Sequence, residues 1–220
     1  MPRPTGTPTA IATPTATATA APTPTSLNFT RADSGSITET GKSTGIFGIV
    51  LADAIAAFNP TSRRMSVVTT IPNFGVNEVP SATARLWNEF TVGGTPGQSV
   101  TAQFNVGVSW KGTLAGNGAL GTGSSIDIRT VVLDRSDGDR QIASCVLHSA
   151  ERRESALSGD GVGDSGSELV DFTALLIRGH RYRLQVTATC ESTSGLLGAQ
   201  AACGFGPISF LLVTENGYVD

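Results

Sequence analysis

The chain has 220 residues, 39% of them hydrophobic, with 15 basic and 18 acidic side chains and a formal net charge of −3. Near-balanced charge, scattered arginines and only two lysines, Lys42 and Lys111, argue against a nucleic-acid groove. The longest apolar run, Ile46–Phe58, is interrupted by Asp53 and is too short to cross a bilayer as a helix.

Residues 1–26, MPRPTGTPTAIATPTATATAAPTPTS, are almost wholly Thr, Pro and Ala, with Ile11 the sole large aliphatic residue after Met1. Such a segment cannot contribute to a core and reads as a disordered, extended tail or linker. It resembles the Thr-Pro linkers of secreted bacterial surface proteins. The first 30 residues lack the charged-then-apolar layout of a signal peptide, which conflicts with that resemblance. Residues 27–220 are expected to form a single domain, long enough to bury a substantial core.

In chain order, Leu27–Arg31 reads as a first short strand, and Asn28-Phe29-Thr30 is a glycosylation-type triplet. Residues 33–44, DSGSITETGKST, read as a polar loop. Ile46–Phe58 fits a buried strand or two helical turns, and Asn59-Pro60 stops it either way. Met65–Ile71 reads as a strand. Ala82–Val92 alternates, with Ala82, Ala84, Leu86 and Phe90 on one face. Val100–Trp110 gives the clearest period of two, from Val100 through Ala102, Phe104, Val106 and Val108 to Trp110, which places Trp110 in the core. Ile126–Leu133, a turn at Ser136–Asp139, and Gln141–His148 follow. Residues 149–167 read as a charged, then Gly-rich loop. Leu169–Ile177, Tyr182–Thr189 and Ile208–Val213 bring the count to nine or ten strands. The fold class is therefore all-β, an antiparallel sandwich of Greek-key or jelly-roll type.

The pattern L-x-x-G-x-x-Y-x-L-x-V is carried by Leu176, Gly179, Tyr182, Leu184 and Val186. A strand ending near Ile177, a glycine-permitted corner and a strand starting at a buried Tyr describe a crossing between the sheets of a sandwich. LIRGHRYRLQV resembles the corresponding corner of fibronectin type III and immunoglobulin-like Greek-key domains, with Arg178 where that family usually has Pro. The resemblance implies an adhesive, ligand-binding or spacer module rather than an enzyme.

Catalytic patterns are weak. GSITETGKST, 35–44, has Gly35 one place out of register for a phosphate loop, and VVLD, 131–134, has no parallel α/β context. Gly116–Gly121 spells G-x-G-x-x-G between two strands, where a hairpin loop is the better reading. His148 and His180 are the only histidines, and no G-x-S-x-G elbow is present. Asp160, Asp164, Glu168 and Asp171 on a Gly-rich stretch are hard oxygen ligands that could hold calcium, without the alternating spacing that aims several at one ion.

Trp87 stands out instead. It shares the polar face of Ala82–Val92 with Arg85 and Glu89, where an aromatic ring can stack on a sugar or a partner surface. Of the three cysteines, Cys190 and Cys203 flank a small-residue loop and form the favoured bridge, leaving Cys145 buried; a Cys145–Cys190 pair is the competitor. A bridge points to an oxidising compartment. The sequence thus predicts a non-catalytic, surface-displayed module that binds carbohydrate or protein. The alternative is a structural subunit of a virion or extracellular filament, assembled with copies of itself, with the tail as an arm.

Overall fold

A computed structural model describes residues 27–29, 32–44, 50–71, 79–117, 122–153, 161–193 and 200–215. The strands are β1 (Leu27–Phe29), β2 (Ser34–Thr40), β3 (Ser43–Thr44), β4 (Val50–Asn59), β5 (Arg64–Ile71), β6 (Ser81–Thr91) and β7 (Ser99–Asn117). They continue with β8 (Gly123–Asp134), β9 (Arg140–Arg153), β10 (Val162–Ile177), β11 (Arg181–Thr193) and β12 (Gln200–Glu215). A 3-10 turn, Arg135–Asp137, lies between β8 and β9.

The strands form two sheets. One has seven strands in the order β10-β7-β12-β5-β4-β3, with β1 added beside β12; the other has five, β2-β6-β11-β8-β9. Pairing is antiparallel throughout. Only the links β3–β4, β4–β5 and β8–β9 join neighbours within a sheet; every other link crosses the sandwich.

Alternation builds the core. Val100, Ala102, Phe104, Val106 and Val108 of β7 face Ala82, Ala84, Leu86 and Phe90 of β6 and Leu184, Val186 and Ala188 of β11, all buried in one cluster. Phe104 stacks on Phe172 at 5.2 Å and lies 6.1 Å from Phe90, which in turn sits 5.8 Å from Tyr182. Each fully buried large side chain contributes about 1.5–3 kcal/mol. Cys190 and Cys203, both fully buried, form a disulfide between β11 and β12 and so tie one sheet to the other.

The corner between β10 and β11 is closed by Tyr182. Its hydroxyl accepts from the Ile177 amide at 2.7 Å, and Gly179 takes φ +84° to make the turn. Burial pushes the Tyr182 hydroxyl above its ordinary pKa, against the lowering effect of the Ile177 bond. The side chain therefore stays protonated and buried.

Three local expectations change, and one alternative left open is settled. Residues 33–44 are not a loop: their polar residues form β2 and β3 at sheet margins, where one face stays open to water. The described part of 46–58 is strand, with Ala52, Ala54 and Ala56 buried between the more open Asp53 and Ile55; 46–49 lie outside the described residues. Pairing with β5 overrides the helical propensity of alanine. The described parts of the expected loop at 149–167 are mostly strand as well, the end of β9 and the start of β10, while 154–160 lie outside the described residues. Glycine permits this: a Cβ on Gly166 would lie 2.7 Å from the Trp110 ring, which spreads over it. Cys145 is half-buried rather than buried, because β9 is a sheet edge. The tail, 1–26, and Asp160 lie outside the described residues.

Candidate functional site

The outer face of the five-stranded sheet is set by register. Trp87 on β6 stands between Ser34 of β2 and Gln185 of β11, and Glu89 stands opposite Arg183. Leu86, Asn88 and Phe90 point inward and are buried, so the odd-numbered residues of β6 are turned outward. The same alternation turns Arg181, Arg183 and Gln185 outward from β11.

Around Trp87 these side chains lock together. The Arg183 guanidinium lies 4.3 Å from the centre of the Trp87 ring. It also donates to Glu89 Oε1, from Nη2 at 2.6 Å and from Nε at 3.1 Å. Arg181 pairs with the other Glu89 oxygen, and Arg135 lies 3.5 Å from Oε1. Burial alone would raise the Glu89 pKa, but the Arg183 hydrogen bonds and the charges of Arg181, Arg183 and Arg135 outweigh it and hold the carboxyl below its ordinary value. Glu89 therefore organises three arginines rather than acting as a proton donor.

Beside the ring lies an open hollow of about 420 Å³ lined by Asp33, Ser34, Trp87, Glu89, Phe90, Thr91 and Arg181. Asp33 is fixed at its rim, accepting from the Glu89 amide at 2.7 Å and donating its own amide to the Trp87 carbonyl at 2.9 Å. Trp87 and Glu89 thus share one site. Arg85 stands two residues along on the same face and donates to Thr38 at 2.9 Å, outside the hollow lining. Asp33 and Ser34 are not legible in the sequence as part of this face, because the polar run 33–44 carries no strand period. Sequence reasoning also misses Arg181 and Arg183, although their alternation with Tyr182 and Leu184 is there to read.

The carboxylates considered for calcium separate. Asp164 accepts from Trp110 Nε1 at 3.0 Å and meets His148 Nε2 at 2.6 Å, while the His148 ring stacks on Trp110 at 4.0 Å. Trp110 is accordingly only partly buried, packed against the core. Glu168 is exposed on β10, and Asp171 accepts from Asn105 at 2.7 Å. Among the described residues no group of three or more His, Cys, Asp or Glu side chains is placed to hold a metal ion. His180 pairs at 2.8 Å with Asp134, which is fully buried and caps the 3-10 turn by accepting from the Ser136 amide. Each histidine is therefore held in a structural pair.

The fold defines an antiparallel two-sheet β-sandwich with a polar aromatic platform on one outer face. No family model matches the chain, and no curated protein matches it. Among solved structures it is similar to TmCBM61 in complex with β-1,4-galactotriose, at 14% identity over 82% of this chain and 90% of that one, with a TM-score of 0.27. It is also similar to the enzymatically active domain of bacteriophage CBA120 tailspike protein 4, at 12% identity and a TM-score of 0.20, covering 86% of this chain but 19% of that one. A third structure, of carbohydrate-binding modules from the β-sandwich superfamily, gives 10% identity and 0.21, over 85% of this chain and 56% of that one. Overlaps of this size leave function to be argued from the site. Among the described residues no helix is long and apolar enough to cross a membrane.

Proposed function

We propose that the domain is a non-catalytic binding module, displayed in an oxidising extracellular or surface setting, that takes carbohydrate or a protein surface on the platform around Trp87. The observation that carries this reading is a tryptophan turned outward from the sheet, its position fixed by Arg183, beside a hollow rimmed by polar groups. A sugar ring or a partner side chain gains contact area from the indole, while Asp33, Ser34 and Thr91 offer hydrogen bonds around it. The test is a glycan array followed by calorimetry with the wild-type chain and Trp87→Ala. Binding confined to the wild type supports the reading, and equal binding by both removes Trp87 from it.

The second reading, a structural subunit of a virion or extracellular filament with residues 1–26 as an arm, is favoured by the long edge of β10, which pairs only with β7 among the described residues. The buried disulfide accords with either setting outside a reducing cytoplasm.

A further inference from the structure

Among the described residues five strands pair on one side only, and four of them are blunted; β1 has three residues. β3 has two residues, and β2 has seven with Glu39 anchored to the Ala56 amide and to Lys42. β9 shifts register twice against β8, with Ile142 and Leu147 as the extra residues. Bulges, charges and short lengths are the usual protections of a sheet edge. β10 differs. It pairs with β7 through sixteen residues, Val162 to Ile177, without a register shift, and contains neither Pro nor Lys. Among the described residues no strand pairs with its other side. Near its start Asp164 meets His148 of β9, and the stretch 167–177 lies beyond that contact.

That stretch is self-complementary. Leu169 and Leu175 are each 63% exposed, the most exposed large apolar residues described, and they lie three places either side of Phe172. We propose that β10 is a homodimer interface, on which a second copy of this chain adds its own β10 antiparallel about a two-fold axis at Phe172. In that register Leu169 of each copy lies directly opposite Leu175 of the other, so both exposed leucines are covered at once. No acid stands directly opposite another: Asp171 faces Thr173, with the two Asp171 side chains on a diagonal across the axis, and Glu168 faces Leu176. The register pairs even with even and odd with odd positions, so every outward backbone group of one strand meets an outward group of the other. The contact is isologous and continues the seven-stranded sheet of one copy into that of the next. It holds whether the domain binds a glycan or builds an assembly, and it does not involve the Trp87 face.

Light scattering on the full-length chain should give twice the mass of one chain, and Leu169→Lys with Leu175→Lys should halve it while leaving the circular dichroism unchanged. Register is read by cross-linking in a Cys145→Ser background. Under oxidation, Leu169→Cys mixed with Leu175→Cys should form a covalent dimer, because directly opposed Cβ atoms lie within disulfide reach, whereas Leu169→Cys alone should not. A wild-type chain that stays monomeric at the highest attainable concentration overturns the proposal, including the case in which β10 amides are protected from exchange by a segment of the same chain. So does a dimer that survives the lysine pair, or Leu169→Cys that couples to itself as readily as to Leu175→Cys. A monomer would also remove the observation favouring the assembly reading and leave the Trp87 reading untouched. Should the lysine variant fail to fold, the wild-type mass and the two cysteine variants still decide.

Discussion

The Arg183 guanidinium lies over the Trp87 ring at 4.3 Å and bonds Glu89 with the same group. One side chain on β11 thus fixes the orientation of two on β6. Contact of this kind is worth about 0.5–1 kcal/mol at a partly exposed site. Trp87→Ala should therefore cost no more than about 1 kcal/mol in a denaturant melt while abolishing binding to any glycan or partner found by screening. A loss of several times that in stability, with binding retained, would mean that the ring serves packing.

Glu89 gives the platform a pH dependence. Its carboxyl is held below the ordinary range in the folded chain, so the folded state takes up that proton less readily than the unfolded one. Its contribution is complete above the unfolded carboxylate value of about 4.3 and is lost as pH falls through the lower folded value. Melting temperature followed from neutral to acid pH should fall on the acid side, and Glu89→Gln should flatten that part of the curve while lowering stability at neutral pH. A variant curve parallel to wild type throughout would show that the three arginines are not held by this charge.

Tyr182→Phe should destabilise the domain by about 1–3 kcal/mol, because the part-buried Ile177 amide loses its acceptor. The cost should appear in the midpoint of a denaturant melt with the slope unchanged. Indistinguishable melts would mean that water replaces the hydroxyl and that the corner does not depend on it.

How far the sequence carried differs between elements for a physical reason. The corner was readable because Leu176, Gly179 and Tyr182 act within a few residues of one another, and β7 because both its faces follow a period of two over many positions. β2 and the start of β10 were not, since their residues are polar or glycine and their strand character comes from distant partners, Ser81–Trp87 and Trp110–Leu114. For the same reason Trp87 and Glu89 could be placed on one face, whereas Asp33, brought to them by β2, could not. Asp164 looked like a metal ligand because nothing in the sequence announces that a bulge at Leu147 brings His148 to it.

Asp164 accordingly supports a test against calcium. Both its oxygens have partners, one in Trp110 and one in His148. Calcium should leave the melting temperature unmoved, and Asp164→Ala should destabilise by about 1–3 kcal/mol by leaving the Trp110 indole N–H unpaired. Trp110 emission, read in a Trp87→Phe background, should shift to the red as the side of the sandwich loosens. A calcium-dependent rise in melting temperature that Asp164→Ala abolishes would restore the carboxylate as a ligand.

The last prediction concerns the cysteines. Cys190 and Cys203 are 13 residues apart in sequence and join strands of opposite sheets, 5.7 Å between Cα atoms. The bridge limits the unfolded chain, and for a loop of about this length that is worth roughly 3 kcal/mol. Both sulfurs are buried beneath the two sheets, so reductant should reach them only when the domain opens. Cys145 lies half-exposed on the bulged edge strand β9 and has no such cover. Alkylation of the native, unreduced protein should therefore label Cys145 alone, and non-reducing peptide mapping should find Cys190 joined to Cys203. Reduction under denaturing conditions, followed by refolding with both thiols blocked, should yield a domain with a lower denaturant midpoint. A Cys145–Cys190 link would require β9 rather than β8 to lie beside β11, a different sheet order. Three thiols labelled in the native state would remove the tie between the sheets and, with it, the argument for an oxidising compartment.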